Sequence, residues 1–209
     1  KSIEDARCGG ASGCVETGAF GKESYVLTGY FNLVKILEIT LNNGFDPRTE
    51  KTIGLQTGDP ANFTTFDDLF SAFQKQVQHF ADIKIKGNVI IEKIYAKYMP
   101  APFLSILIDD CIANCKDYNA GGARYNTSYV QGVGTGTITD SLSAIKYHVY
   151  RENSFTISEL QDALKKNFDG YEEIRNKLLE DSPKYGNDDD DADDLLQDVF
   201  ETYFKAVDG

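Results

Sequence analysis

Apolar positions between residues 25 and 41 recur with little polar interruption: Val26, Leu27, Tyr30, Phe31, Leu33, Val34, Leu37 and Leu41. At a period of 3.6 residues this predicts a helix over about 25–43, buried on most sides and closed by Asn42-Asn43-Gly44 as a C-cap. Leu33, Leu37 and Leu41 are expected in the core. Asp46-Pro47-Arg48-Thr49 and Gly58-Asp59-Pro60 then read as turns. A second stripe, Phe66, Leu69, Phe70, Phe73, Val77 and Phe80, begins after Thr65, with Asp68 at capping-box spacing. Its periodicity runs past Gly87 to about Tyr98, where Pro100 and Pro102 end it.

Later in the chain the pattern is more broken. Residues 103–108 are apolar and short, and fit a buried strand or a helix equally. Gly121-Gly122 and the Gly132, Gly134, Gly136 series bracket a Tyr/Thr/Val-rich piece that reads as strands and tight turns. Helices follow near 139–149, 158–180 (broken at Gly170) and 191–207. The first twenty residues, rich in Gly, Ala, Ser and Cys, read as a loop whose backbone approaches something closely. With no internal repeat and no linker-like stretch, residues 1–209 read as one unit of helix-rich α/β class, with no internal boundary.

Composition narrows the function classes. Hydrophobic residues make up 41% of 209, enough for a substantial core. A formal net charge of −12 argues against a nucleic-acid partner, and no lysine-rich face or membrane-length apolar run is present. No signal-peptide pattern opens the chain, so Cys8, Cys14, Cys111 and Cys115 read as free thiols in a reducing cytosol.

Most motifs reduce to structure. Gly132-x-Gly134-x-Gly136 lacks the third glycine of a dinucleotide fingerprint and the Lys-Ser/Thr of a P-loop, so a tight bend is preferred. Residues 188–194, all Asp but Ala192, fail the EF-hand pattern and fit a helix N-terminus. Cys111 and Cys115, four apart on an apolar stretch, read as buried thiols. His79 and His148 are the only histidines, which leaves no multi-His metal site; no metal is expected.

Cys14 and Glu16 differ. In an extended backbone, residues two apart project to one side roughly 7 Å apart, so a thiol and a carboxylate would address neighbouring atoms of one substrate. Both are expected on a loop tip, outside any helix.

Around Gly13-Cys14-Val15-Glu16 the sequence resembles the glycyl radical enzymes. Supporting stretches are Glu38-Ile39-Thr40-Leu41-Asn42-Asn43-Gly44, Tyr98-Met99-Pro100-Ala101-Pro102-Phe103, Asn119-Ala120-Gly121-Gly122-Ala123-Arg124-Tyr125-Asn126 and Lys184-Tyr185-Gly186-Asn187-Asp188. The resemblance covers essentially the whole chain and implies part of a ten-stranded α/β barrel. Pyruvate formate-lyase pairs two adjacent cysteines, whereas Cys-x-Glu marks the eliminating branch of glycerol, diol, choline and hydroxyproline enzymes. Glu16-Thr17-Gly18-Ala19-Phe20-Gly21-Lys22-Glu23 is similar to the members that dehydrate hydroxyproline. The Arg-Val-x-Gly-Tyr type motif of the radical-storing loop is absent, and Gly209 is not that glycine. The chain is thus expected to be an internal fragment, inactive alone.

The resemblance implies a chemistry. A separate activase using S-adenosylmethionine and an iron–sulfur cluster installs a radical on a glycine outside this chain; no cofactor is bound directly. Cys14 becomes a thiyl and abstracts hydrogen from the substrate carbon beside nitrogen. Glu16 supplies acid/base help, its pKa raised by burial. Tyr30, on the expected first helix, is a candidate substrate-pocket wall, with a core position as the plain alternative. The implied partners are a hydroxyproline-like small molecule, the activase and, as a permitted assembly, a homodimer. Rival readings are a glycerol/diol or choline-type eliminase, a non-catalytic fragment, and a thiol sensor using Cys8 and Cys14.

Overall fold

The computed structural model of the chain describes residues 1–12 and 16–208, and at Ser12, Glu16 and Leu27 the backbone alone. A short helix α1 (Ile3–Arg7) precedes strands β1 (Gly10–Ser12), β2 (Glu16–Gly18) and the long β3 (Glu23–Asn32). Helix α2 (Leu33–Leu41) follows directly, then β4 (Phe45–Asp46), β5 (Lys51–Thr52), a 3-10 turn at Pro60–Asn62 and the 33-residue helix α3 (Phe66–Tyr98). Helices α4 (Pro102–Ser105) and α5 (Asp109–Ala113) and a 3-10 turn (Tyr118–Ala120) lead to strand β6 (Tyr125–Val133). Helix α6 (Thr135–Ile145) runs into a π-helical turn (Lys146–Arg151), and α7 (Ile157–Lys165), α8 (Glu172–Glu180) and α9 (Asp190–Asp208) complete the series. The strands pair as β1 with β2, β3 with β6 and β4 with β5. The class is helix-rich α/β.

The chain divides into two compact units, Lys1–Tyr30 with Lys84–Gln131, and Phe31–Ile83 with Gly132–Gly209. In the second unit α6 packs on both α2 and α9. Leu33, Leu37 and Leu41 of α2, Leu69, Phe73 and Val77 of α3, Ile138 and Leu142 of α6, and Leu195 and Val199 of α9 are buried. Each such side chain contributes about 1.5–3 kcal/mol on leaving water. Helix α3 starts where its sequence says: the Thr65 N–H donates to Asp68 Oδ2 (2.9 Å) and the Asp68 N–H to Thr65 Oγ1 (3.2 Å). Gln76, on the same buried stripe, turns its amide on the backbone of Leu55. Its Oε1 accepts the Leu55 N–H at 2.9 Å and its Nε2 donates to the Leu55 carbonyl at 2.6 Å. A polar side chain with no exposure is tolerated there because both ends are paired.

Other expectations in this unit hold. Helix α2 ends at Leu41, with Asn43 and Gly44 in left-handed conformation and the Gly44 N–H donating to Ile39 O at 2.9 Å. Gly134, at φ 83°, makes the bend that opens α6. The acidic run begins α9, where Asp189 Oδ1 accepts the Ala192 N–H at 3.2 Å. The helical stretch expected at 158–180 breaks between Lys165 and Glu172 around Gly170.

The expected helix at 25–43 is corrected in its first part, for residues 25–32 form strand β3. Tyr25, Val26, Thr28, Tyr30 and Phe31 are β-branched or aromatic and suit a pleated surface. The partner strand β6 lies far along the chain, Ser24 bonding Asn126 102 residues on, which local periodicity does not reveal. Asn32 marks the change of element, its Oδ1 capping α2 by accepting the Lys35 N–H at 3.1 Å. The first twenty residues also carry more order than a loop, because Ser2 caps α1 by accepting the Asp5 N–H at 3.1 Å. Residues 103–108 resolve as the helical turn of α4 and a following turn. Cys111 is buried beside Ile108, Tyr118 and Ala123, and burial pushes its thiol pKa up. Cys115, expected buried, is exposed: α5 ends at Ala113 and residue 115 turns to φ 49° beyond the helix face. Among the described residues, no helix is long and apolar enough to cross a membrane.

Candidate active site

Strands β1 and β2 are antiparallel, with Gly10 opposite Gly18, Ala11 opposite Thr17 and Ser12 opposite Glu16. The backbone of Glu16 therefore opens a strand and is not helical. Cys14 lies outside the described residues, and the distance of its thiol from the Glu16 carboxylate is outside them too. Tyr30 belongs to β3 and not to a helix, and in this chain it is 64% exposed.

Close approach of backbone explains the glycines flanking the hairpin. A Cβ on Gly9 would stand 2.1 Å from the Gly18 carbonyl oxygen, and one on Gly18 would meet the Tyr25 side chain. Tyr25 in turn stacks on Tyr129, ring centroids 5.5 Å apart. The Tyr129 hydroxyl donates to the Thr17 carbonyl at 2.9 Å, which ties β2 to β6 from outside the hairpin.

Two buried carboxylates stand at the hairpin's root, and neither is evident from local sequence. Asp5 is 4% exposed, Lys22 Nζ lies 2.6 Å from its Oδ1, and the Tyr125 hydroxyl donates to its Oδ2 at 2.7 Å. Arg124 Nη1 adds a longer contact at 3.3 Å. The Lys22 ammonium foremost, then the Tyr125 hydroxyl, hold the Asp5 carboxyl well below the usual range against the opposing effect of burial. Glu23, 1% exposed, has Lys1 Nζ at 2.7 Å and accepts the Ala19 N–H on Oε2 (2.9 Å) and the Thr127 hydroxyl on Oε1 (2.7 Å). Burial pushes its carboxyl up, but Lys1, Thr127 and Ala19 together outweigh that and leave it below its ordinary value. No local signal marks either carboxylate, because their donors Lys1, Lys22, Tyr125 and Thr127 are brought together only by the fold.

In the second unit a groove of about 850 Å³ is lined by Leu37, Leu41, Ala144, Ile145, Leu160 and Phe168 among others. Its lining is mainly apolar. His148, 2% exposed, is engaged in structure: its Nε2 lies 3.2 Å from the Lys177 carbonyl and its ring stacks on Phe155. Among the described residues no group of three His, Cys, Asp or Glu side chains is placed to hold a metal ion.

The helix-rich α/β fold and the Cys-x-Glu sequence fit the glycyl radical enzymes, and comparison with known proteins gives that class. The chain belongs to the pyruvate formate lyase-like family, whose model matches residues 1–209. It is 59% identical over its whole length to trans-4-hydroxy-L-proline dehydratase of Clostridioides difficile, covering 26% of that protein. The crystal structure of that organism's hydroxyproline dehydratase, with trans-4-hydroxy-L-proline bound, matches 99% of the chain and 26% of the solved chain, with a TM-score of 0.93 at 59% identity. The glycerol-bound B12-independent glycerol dehydratase of Clostridium butyricum matches 99% of the chain and 26% of the solved chain, with a TM-score of 0.90 at 39% identity. The chain thus spans about a quarter of the length of the relatives it matches.

Proposed function

We propose that this chain is the cysteine-loop segment of a glycyl radical dehydratase that eliminates water from trans-4-hydroxy-L-proline to give 1-pyrroline-5-carboxylate. The observation that carries the reading is the 59% identity along all 209 residues to a protein of that activity, against 39% to the glycerol enzyme. In this reading residues 1–209 form one continuous part of a barrel domain. The parent enzyme is bacterial, anaerobic and cytoplasmic, works as a homodimer and is activated by a radical S-adenosylmethionine protein with an iron–sulfur cluster.

The radical stored on a glycine outside this chain supplies one unpaired electron, and a sulfur beside a carboxylate is a donor set suited to using it. Cys14 would pass its thiol hydrogen atom to that glycyl radical and become a thiyl, then take a hydrogen atom from the ring carbon beside nitrogen. The carbon radical lies next to the C–OH carbon. Hydroxide leaves the C–OH carbon as water on taking a proton, the ring nitrogen gives up one as its C=N bond forms, and Glu16 moves protons at this step. The product radical recovers a hydrogen atom from Cys14, so the thiyl is regenerated and no net redox change occurs. Tyr30, on an exposed strand position, walls the substrate pocket. The test is to activate the full-length enzyme and assay 1-pyrroline-5-carboxylate from trans-4-hydroxy-L-proline, with glycerol, propane-1,2-diol and choline as competing substrates. Turnover of hydroxyproline alone supports the reading; preferential turnover of a diol or choline replaces it with the rival eliminase.

A further inference from the structure

Lys22 and Glu23 are neighbours in sequence and their side chains go to opposite flanks of the hairpin. Lys22 reaches Asp5, which lies in α1 just before β1. Glu23 accepts the N–H of Ala19, the residue immediately after β2. Strand β6 supplies the matching pair. Tyr125 and Thr127, two apart and thus on one face of the strand, each give a hydroxyl to one of the two carboxylates, Tyr125 to Asp5 and Thr127 to Glu23. The backbone closes the arrangement, with the Tyr125 N–H donating to the Lys22 carbonyl at 3.0 Å.

Burying two carboxylates costs several kilocalories each unless they are paired, and here Asp5 meets Lys22, Tyr125 and Arg124 while Glu23 meets Lys1, Ala19 and Thr127. A hydrophobic root would pack as well but would not fix the register of a short three-residue strand pair. The arrangement specifies position.

We propose that Glu23 is a positioning residue for the reaction. It sets where β2 leaves the body of the first unit, and so where Glu16 and Cys14 stand relative to substrate; Lys22 and Asp5 fix the β1 side in the same way. The inference rests on the dehydratase reading above. Glu23 touches no reacting atom. Its replacement by Gln removes the negative charge that Lys1 Nζ and the Ala19 N–H meet on Oε2, and an amide NH₂ toward Thr127 turns that hydroxyl from donor to acceptor, so the contacts weaken together and the strand end is held less firmly. A misplacement on the ångström scale costs about 10²-fold in rate when a reacting atom must sit within contact distance.

The experiment uses the full-length enzyme, activated, with Glu23→Gln and Thr127→Val. Radical content is counted by electron paramagnetic resonance, and kcat is expressed per radical. The deuterium isotope effect is measured with substrate labelled at the carbon beside nitrogen. A destabilised enzyme would lose active molecules but keep the kcat of each remaining one and the same isotope effect. The expected result for Glu23→Gln is a fall in kcat per radical of about 10–100-fold, little change in KM, and an enlarged isotope effect because hydrogen transfer becomes limiting. Thr127→Val, which removes one donor and keeps the strand, should move the same readouts by less and serves if Glu23→Gln does not fold. Unchanged kcat per radical and isotope effect in whichever variant folds would overturn the proposal. Cys14→Ser is run alongside: if it turns over normally, the dehydratase reading itself fails, whereas an inactive Cys14→Ser with an unaffected Glu23→Gln removes the positioning role alone.

Discussion

A Cβ placed on Gly18 would stand 1.6 Å from the phenolic oxygen of Tyr25 and 2.4 Å from its ring carbon Cζ. The last residue of β2 and the tyrosine above it are thus a single packed contact, and any side chain at 18 must displace the ring that Tyr129 stacks against.

Gly18→Ala is therefore expected to destabilise the chain by about 1–3 kcal/mol, the usual cost of overpacking. Adding Tyr25→Phe should recover only part of the loss, because removing the hydroxyl leaves the ring carbon in place. Thermal unfolding of the two variants checks this; full recovery in the double variant would show that the oxygen alone obstructs.

For the chemistry, Cys14→Ser in the full-length enzyme should abolish dehydration while the glycyl radical still forms, since an O–H bond is too strong to yield its hydrogen to that radical. Glu16→Gln should lower turnover by roughly 10²–10⁴-fold at the elimination step, an amide keeping the shape and losing the transferable proton. Product assay combined with electron paramagnetic resonance separates the two effects. Normal turnover by Cys14→Ser would remove the mechanism.

His148 gives a pH dependence of stability. Burial lowers its pKa below the ordinary 6.5, opposed by the Lys177 carbonyl and the Asp181 and Glu152 carboxylates and reinforced by the Lys177 charge. The unfolded chain then binds the proton more readily than the folded one. Stability should be full above about 6.5 and fall as pH drops from there toward the folded value. His148→Gln, which can still donate to the Lys177 carbonyl, should flatten that fall between about pH 7 and 5. Denaturant midpoints across this range test it.

Thr65→Ala removes the hydroxyl that accepts the Asp68 N–H and should cost about 1 kcal/mol, read as a lower midpoint with unchanged denaturant slope. No loss would mean that the Asp68 carboxylate, which accepts the Thr64 and Thr65 N–H groups, suffices to start α3.

Helix α3 was legible from end to end, because its start is a local hydrogen-bond exchange between Thr65 and Asp68 and its stop a pair of prolines. The break around Gly170 and the acidic start of α9 were legible for the same reason. Residues 25–32 were not, since a strand is decided by its partner and β6 lies about a hundred residues away. Apolar density there could be read, while its period could not. Leu33, Leu37 and Leu41 were placed in the core correctly because α2 begins one residue after Asn32. Of the site, the Cys-x-Glu spacing was visible and Tyr30 was assigned to the wrong element. Asp5 and Glu23 were invisible as buried groups, for a carboxylate's burial depends on donors gathered from Lys1, Lys22, Tyr125 and Thr127, which only the fold brings together.

The amide of Gln76 meets both backbone groups of Leu55, as an adjacent strand would. Leu55 lies in irregular chain and is 40% exposed, yet its N–H is held by a residue of α3 with no exposure. Its proton can exchange with solvent only when that helix lets go, so the Leu55 amide should exchange on the slow clock of α3 while its loop neighbours exchange fast. One amide on the surface thereby reports the opening of the interior.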